Sequence, residues 1–215
     1  MIKPYYENEI GKLYHGSCLD ILPELEPVDL VLTDPPYANN TKYDGYDDTE
    51  ENLKKIIKNL FPLIINKSNI VLITCGVSNI HLYPKPTWIL NWTTMAGTGS
   101  GPWGFCCWQP ILAYGADPYL KYGKGRRPDT LNLTRTSIKN LHPCPKPIGF
   151  IKQLIQRASI NSNDIIADIF LGSGTTAVAC EKLNRRWIGI EISEEYCEIS
   201  AKRIEAEASQ LKLWR

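Results

Sequence analysis

The stretch that most constrains what this chain can become runs from Ile165 to Glu191. Ile165-Ile166-Ala167-Asp168-Ile169 is short, apolar and β-branched, so it reads as a buried strand. Phe170-Leu171-Gly172-Ser173-Gly174-Thr175-Thr176 interrupts it with a glycine-rich turn, and a helix is expected from about Thr175 to Leu183. Trp187-Ile188-Gly189-Ile190-Glu191 is a second strand, ended by a carboxylate. Ser193 then caps a long final helix, with Glu194 and Glu195 in its first turn, where acids complement the helix dipole. A strand, a helical crossover and a second strand commit the chain to parallel pairing, and hence to an α/β sheet covered on both faces.

The same unit suggests a ligand. Gly172 and Gly174 let backbone approach a small molecule at a helix N-terminus, and Glu191 stands where a carboxylate can take both hydroxyls of a ribose. The third glycine of the dinucleotide fingerprint is missing, and so is the lysine of a phosphate-binding loop. An adenosine cofactor without phosphates fits both absences. So does a plain structural turn, because a lone Gly-x-Gly is common.

A second motif lies far upstream. The apolar run Val28-Asp29-Leu30-Val31-Leu32-Thr33 reads as another buried strand, and Asp34-Pro35-Pro36-Tyr37 stops it with two prolines that cannot continue a ladder. Such a strand delivers an acid and an aromatic ring to the C-terminal edge of the sheet, where open α/β sheets bind ligands. Pro35 and Pro36 keep their carbonyl acceptors and lack N–H groups, so an amine placed there meets acceptors only. A flat ring could stack on Tyr37 while its amino group donates to Asp34 and a nearby carbonyl. Asp-Pro is also ordinary turn chemistry, and these four residues alone leave both readings open.

Charge is unevenly distributed. The net charge is +1, yet residues 17–51 hold ten acids and one lysine, while residues 116–160 hold nine Lys/Arg and two Asp. A basic segment on a near-neutral chain suits a polyanion touching one face, or simply a solvated surface. Lys121, Lys124, Arg126, Arg127 and Arg135 are the candidate phosphate contacts, on backbone made flexible by Gly123 and Gly125. Seven cysteines without a Cys-x-x-Cys pair argue against a disulfide framework and a zinc site, and for a reducing cytoplasm; no metal site is expected. No apolar run approaches the roughly 20 residues needed to span a bilayer, and the first residues lack an apolar signal core.

The rest of the chain supplies further elements. A helix opening at Thr49 carries Leu53, Ile56, Ile57 and Leu60 at helical spacing. Short strands are expected at Leu13 to His15, Ile70 to Thr74, Thr87 to Leu90 and Ile111 to Tyr114. The polar stretch Ala38 to Asp48, with Asp44-Gly45, reads as a mobile loop or lid beside the site. Gly97 to Gly104 is too glycine-rich for regular structure, and Trp92, Trp103 and Trp108 around it are expected as core or loop anchors. His142-Pro143-Cys144-Pro145-Lys146-Pro147 is a rigid extended lead into a helix from Ile148 to about Ala158.

Asp168 through Thr176 together with Asp34-Pro35-Pro36-Tyr37 resembles the amino-methylating DNA methyltransferases that use S-adenosylmethionine. The acid-Pro-Pro-Tyr motif precedes the cofactor glycines, as in that family's beta group, and His142 to Pro147 is similar to the segment that links recognition region and cofactor loop. The resemblance implies a Rossmann-like α/β methyltransferase fold of circularly permuted motif order, with a mixed, mostly parallel sheet and helices on both faces. It implies one domain over 1–215 with a short basic target-recognition insertion at about 116–141, hence a short or relaxed recognition sequence or help from another chain. S-adenosylmethionine would rest on Asp168, Phe170, Gly172, Ser173, Gly174, Thr175 and Thr176. Glu191 would take its ribose, Ser17 and Cys18 would lie near its adenine, and Lys146 and Pro147 near its methionine end. The family often has an acid where Ser17 stands, and Asp20 is an alternative for that contact. Asp34, Pro35, Pro36 and Tyr37 would be catalytic, acting on the N6 amine of adenine or, as the near rival, N4 of cytosine, in double-stranded DNA. A homodimer or partner subunit, an RNA substrate and a silent DNA-binding subunit stay open.

Overall fold

The computed structural model describes residues 2–43, 46–94, 99–133 and 146–213. The chain opens with β1 (Tyr6–Glu7), β2 (Gly11–His15), the short helix α1 (Cys18–Ile21) and β3 (Leu30–Thr33). A small hairpin, β4 (Lys42–Tyr43) and β5 (Tyr46–Asp47), precedes α2 (Glu50–Lys67), whose N-terminus is capped by the Thr49 hydroxyl accepting from the Asn52 N–H. Next come β6 (Val71–Thr74), β7 (Trp88–Thr93), a second small hairpin of β8 (Ser100–Gly101) and β9 (Gly104–Phe105), and β10 (Trp108–Tyr114). One-turn helix α3 (Pro118–Lys121), β11 (Thr130–Asn132) and α4 (Ile148–Ala158) lead into the last third. There β12 (Ile165–Asp168), α5 (Thr175–Leu183), β13 (Arg186–Glu191) and α6 (Glu194–Leu213) follow in order.

The main sheet runs β1-β2-β13-β12-β3-β6-β10-β7-β11. Strands β2, β13, β12, β3 and β6 are mutually parallel, whereas β10 is antiparallel to both β6 and β7. Burial on both faces explains the continuous apolar runs of the central strands. Leu30 and Leu32 face α4, α5 and α6 with Leu13, Leu72 and Ile111, while Val31 faces α1 and α2 with Val71, Ile73 and Leu112. The crossover from β3 therefore passes over one face and that from β12 over the other. Because β3 and β12 are neighbours, the chain ends of both motifs open into the crevice at the sheet's switch point.

The reversal of β10 decides where the basic segment goes. Tyr114 pairs with Val71 at the start of β6, so β10 ends at the sheet edge opposite the switch-point crevice. Residues 115–129 leave from there, and Arg127 is braced against α4 by donating to the Arg157 carbonyl at 2.7 Å and to Asp117 at 3.3 Å. Lys121, Lys124, Arg126 and Arg127 thus lie at the far edge of the sheet, away from Asp34. Arg135, the segment His142–Pro145 and the turn Asp44-Gly45 lie outside the described residues.

Two loops carry structure of their own, the first of them beside the cavity through Asn39 and Thr41. The stretch after Tyr37 is folded around the buried Asp48 carboxylate, which accepts from the N–H groups of Ala38 at 2.7 Å, Asn39 at 3.0 Å and Thr41 at 3.1 Å. The glycine-rich stretch carries the β8–β9 hairpin. Trp92 is buried and stacked on Phe150, as a core residue should be, whereas Trp103 is fully exposed.

Candidate active site

Four turns at the C-terminal edge enclose a cavity of about 330 Å³: those after β2, β3, β12 and β13. Glu191 ties two of them together. One of its oxygens accepts from the Gly172 N–H at 2.7 Å and the other from the Ser193 N–H at 2.9 Å, while its own carbonyl accepts from the Gly16 N–H at 2.8 Å. The carboxylate keeps acceptor capacity for a ligand hydroxyl. Burial, against the pull of these N–H donors, raises the pKa of Glu191 from that of an ordinary glutamate.

Asp168 is buried beneath the glycine turn. Its carboxylate accepts from the Thr33 hydroxyl at 2.9 Å, the Phe170 N–H at 3.2 Å and the Thr176 hydroxyl at 2.6 Å. It binds β12 to β3 and to the first turn of α5, and it lines the cavity from below. Burial pushes its pKa up to about 6 despite those three donors. Gly172 takes φ +54°, which suits a glycine, and its carbonyl accepts from Ser200 at 2.6 Å. Ser173 is held by Arg203 of α6, whose guanidinium donates to the serine hydroxyl at 2.9 Å. Gly174 does not line the cavity. Its φ is +83°, and a Cβ there would stand 3.0 Å from the Ser200 side chain, so it allows α6 to pack on α5.

At the other end of the cavity, Asp34 is surrounded by donors. One oxygen accepts from the Tyr37 hydroxyl at 2.5 Å and from the Thr74 hydroxyl; the other meets the Lys146 ammonium at 2.5 Å. The ammonium lies 5.0 Å above the Tyr37 ring. Tyr37 is locked from both sides, its hydroxyl accepting from Gln109 and its carbonyl from Asn79 at 2.6 Å. Burial first, and the Asp34 charge second, hold the Tyr37 proton on well above the usual phenol range. Tyr37 is therefore a permanent donor to Asp34. This end of the site is built to hold a positively polarised nitrogen: Lys146 now presents one to a carboxylate, over an aromatic ring.

Residues 103–202 match the model of the N6/N4 methylase family described as DNA methylase. That segment, 100 of the chain's 215 residues, carries the N6/N4 DNA methylase domain. The chain is 27% identical to the type II methyltransferase M2.LlaDCHI of Lactococcus lactis subsp. cremoris, over 95% of this chain and 93% of that one. Its fold matches the M1.HpyAVI–SAM complex with a TM-score of 0.68 at 23% identity, covering 91% of this chain and 99% of that one. It also matches the cytosine-N4-specific PvuII DNA methyltransferase with a TM-score of 0.73 at 18% identity, covering 97% and 95%.

The methyl donor of this methylase family is S-adenosylmethionine, and the cavity's donor set fits it. Lys146 is the one cation among the described lining residues, and it is paired with Asp34, so nothing at the glycine turn would neutralise a phosphate. A carboxylate with acceptor capacity stands at the turn, as a phosphate-free ribose requires. Ser17, Cys18, Phe170, Ser173, Thr175 and Thr176 line the cavity, as do Asp34 through Tyr37. Ser17 uses its hydroxyl to accept from the Leu19 N–H at 3.2 Å, and burial pushes the Cys18 thiol up to about 12, which makes it an inert apolar contact. Asp20 is exposed and off the cavity, and Pro147 starts α4 without lining it. Sequence reasoning missed Thr74, Asn79 and Gln109. Thr74 could have been found as the last residue of the strand beside β3; Asn79 and Gln109 carry no local signal.

Proposed function

We propose that this methylase transfers a methyl group from S-adenosylmethionine to the exocyclic N6 amine of an adenine turned out of duplex DNA. The observation that carries the reading is that the Asp34 turn and the Glu191–Gly172 bracket open into one cavity, at the switch point between β3 and β12. An exocyclic amine is a poor nucleophile because its lone pair is delocalised into the ring. Accepting its protons at Asp34 and the Pro35 carbonyl favours a tetrahedral nitrogen, and that preference grows in the transition state. Tyr37, fixed by Gln109 and Asn79, offers its ring to the base. When bound, the cofactor supplies an electrophilic methyl group. Asp34 need not be a strong base, since the nitrogen sheds its proton only after it has gained the methyl. Holding nitrogen and methyl in line supplies the remaining advantage.

Adenine is preferred because the motif begins with aspartate, the form that leans toward adenine among proteins it resembles. The N4 amine of cytosine presents the same geometry, and one solved relative bears that specificity in its name. Tritiated-methyl transfer to unmethylated duplex DNA, followed by nucleoside analysis, tests the reading. N6-methyladenine with the native chain and none with Asp34→Ala is the expected result. N4-methylcytosine would keep the mechanism and change the base. Cofactor binding without labelled DNA would overturn it.

A further inference from the structure

Two aromatic side chains stand in water beside the catalytic edge. Trp103 is 100% exposed and Phe105 80% exposed. Both belong to an arm, residues 99–107, that leads into β10 past the end of the sheet. The Thr94 N–H donates to the Cys107 carbonyl at 2.9 Å and the Cys106 N–H to that of Gly99 at 2.8 Å, while Ser100 pairs with Phe105 and Gly101 with Gly104. The arm turns at Pro102-Trp103, with Gly104 at φ +124°, so the indole stands at its tip. Its root is in the active site, since Gln109 donates to the Tyr37 hydroxyl. Six residues of extended chain from Gln109 place the tip at most about 20 Å from that contact. From Pro86 to Ala116 the sequence contains no charged residue, so the arm offers phosphates neither attraction nor repulsion. An uncharged arm tipped with an indole is suited to the faces of bases.

We infer that Trp103, backed by Phe105, is a wedge that enters the base stack of duplex DNA and fills the space the extruded base leaves. The inference rests on the DNA-methylation reading above and adds the means by which the target is kept out of the helix. Extrusion breaks two stacking contacts and strands the partner base. An indole in the gap restores a stacking surface, and every base has a face it can meet. The water-exposed apolar area of Trp103 and Phe105 is buried in the same event, which drives the insertion.

The test compares the full-length native chain with a Trp103→Ala, Phe105→Ala double variant, using tritiated S-adenosylmethionine on unmethylated duplex DNA and on the same DNA as single strands. Both side chains are exposed, so the variant should fold and bind cofactor as the native chain does. A wedge matters only where there is a stack to hold open. The expected result is a fall in kcat/KM of at least about tenfold on duplex, with a change of less than about threefold on single strands. Trp103→Phe should restore most of the duplex activity. Equal losses on both forms, or none, would overturn the wedge alone. A native dimer that the double variant breaks, with the duplex-to-single-strand ratio unchanged, would assign the aromatics to a second copy and overturn it too. Should the native chain label neither form of DNA, the methylation reading fails and the wedge with it.

Discussion

Asp168→Asn separates the structural cost of the site from its chemistry. Asp168 is 5% exposed, and burial raises its carboxyl to about 6 from an ordinary 3.8, with the nearby Asp34 charge adding to the rise and three hydrogen-bond donors opposing it. At about 1.36 kcal/mol for each tenfold in acidity, keeping the group ionised inside the fold costs about 3 kcal/mol at neutral pH. An asparagine oxygen can still accept from Thr33 and Phe170, but its amide nitrogen cannot accept from Thr176, a loss of about 1 kcal/mol. The variant should therefore be about 2 kcal/mol more stable above pH 7, or about 4–8 °C in melting temperature for a chain of this size. The sign follows from linkage. A folded acid of raised pKa binds protons more tightly than the unfolded chain, so the native protein loses stability as pH rises from about 4 to about 6 and then levels off. The variant's advantage should vanish, and reverse by the Thr176 loss, below about pH 4. Melting both proteins across that range by calorimetry, without cofactor, checks it. A difference that stays flat with pH, or a variant less stable throughout, would refute the argument that burial dominates at Asp168.

Glu191→Gln must turn an amide NH₂ toward the N–H of Gly172 or Ser193, so it loses a charge-assisted hydrogen bond of about 1.5–3 kcal/mol. Calorimetric titration with S-adenosylmethionine should show affinity weakened at least about tenfold. Lys146→Met removes the ammonium that pairs with Asp34 and leaves the carboxylate with two hydroxyl donors. A half-buried acid that has lost its cation should draw a positively polarised amine more strongly but hold the cofactor's carboxylate less well, so the KM for S-adenosylmethionine should rise more than that for DNA, as steady-state kinetics would show. Gly115→Ala should destabilise by at least about 3 kcal/mol in denaturant unfolding, because φ is +91° and the new Cβ would stand 2.0 Å from the Asn69 carbonyl oxygen.

What was legible in the sequence was written locally. The β12–α5–β13 unit follows from an apolar run, two glycines and a second apolar run, and a parallel pair then requires helices on both faces. The Asp34 turn follows from a buried strand that two prolines cannot extend. Both turns had to emerge at the C-terminal edge, and their adjacency follows once β3 and β12 are neighbours. The donors around Asp34 were another matter. Thr74, Asn79 and Gln109 reach the site from three different segments, and Gln109 does so only because β10 runs antiparallel, bringing the start of a strand to the edge where the others end. Lys146 was singled out for a cofactor's methionine end. Its contact with Asp34 depends on where the start of α4 sits against the end of β3, a distance no spacing along the chain encodes.

Charge counting was silent on position for a related reason. It found a basic segment suited to a polyanion on one face, without saying which face. Net charge along the chain carries no information about which edge of the sheet a segment leaves from, and β10 returns the chain to the far edge before the first of those cations is reached. Arg127 then spends its donors on Asp117 and the end of α4, and lies 3.4 Å over the Tyr119 ring, which are the contacts of a brace. The arm between β7 and β10 is the converse case. It carries no charge, so charge patterning passes over it, yet the same antiparallel reversal roots it at the catalytic edge with its aromatics facing water. In this methylase one strand direction sends Lys121 through Arg127 away from the Asp34 turn and Trp103 toward it.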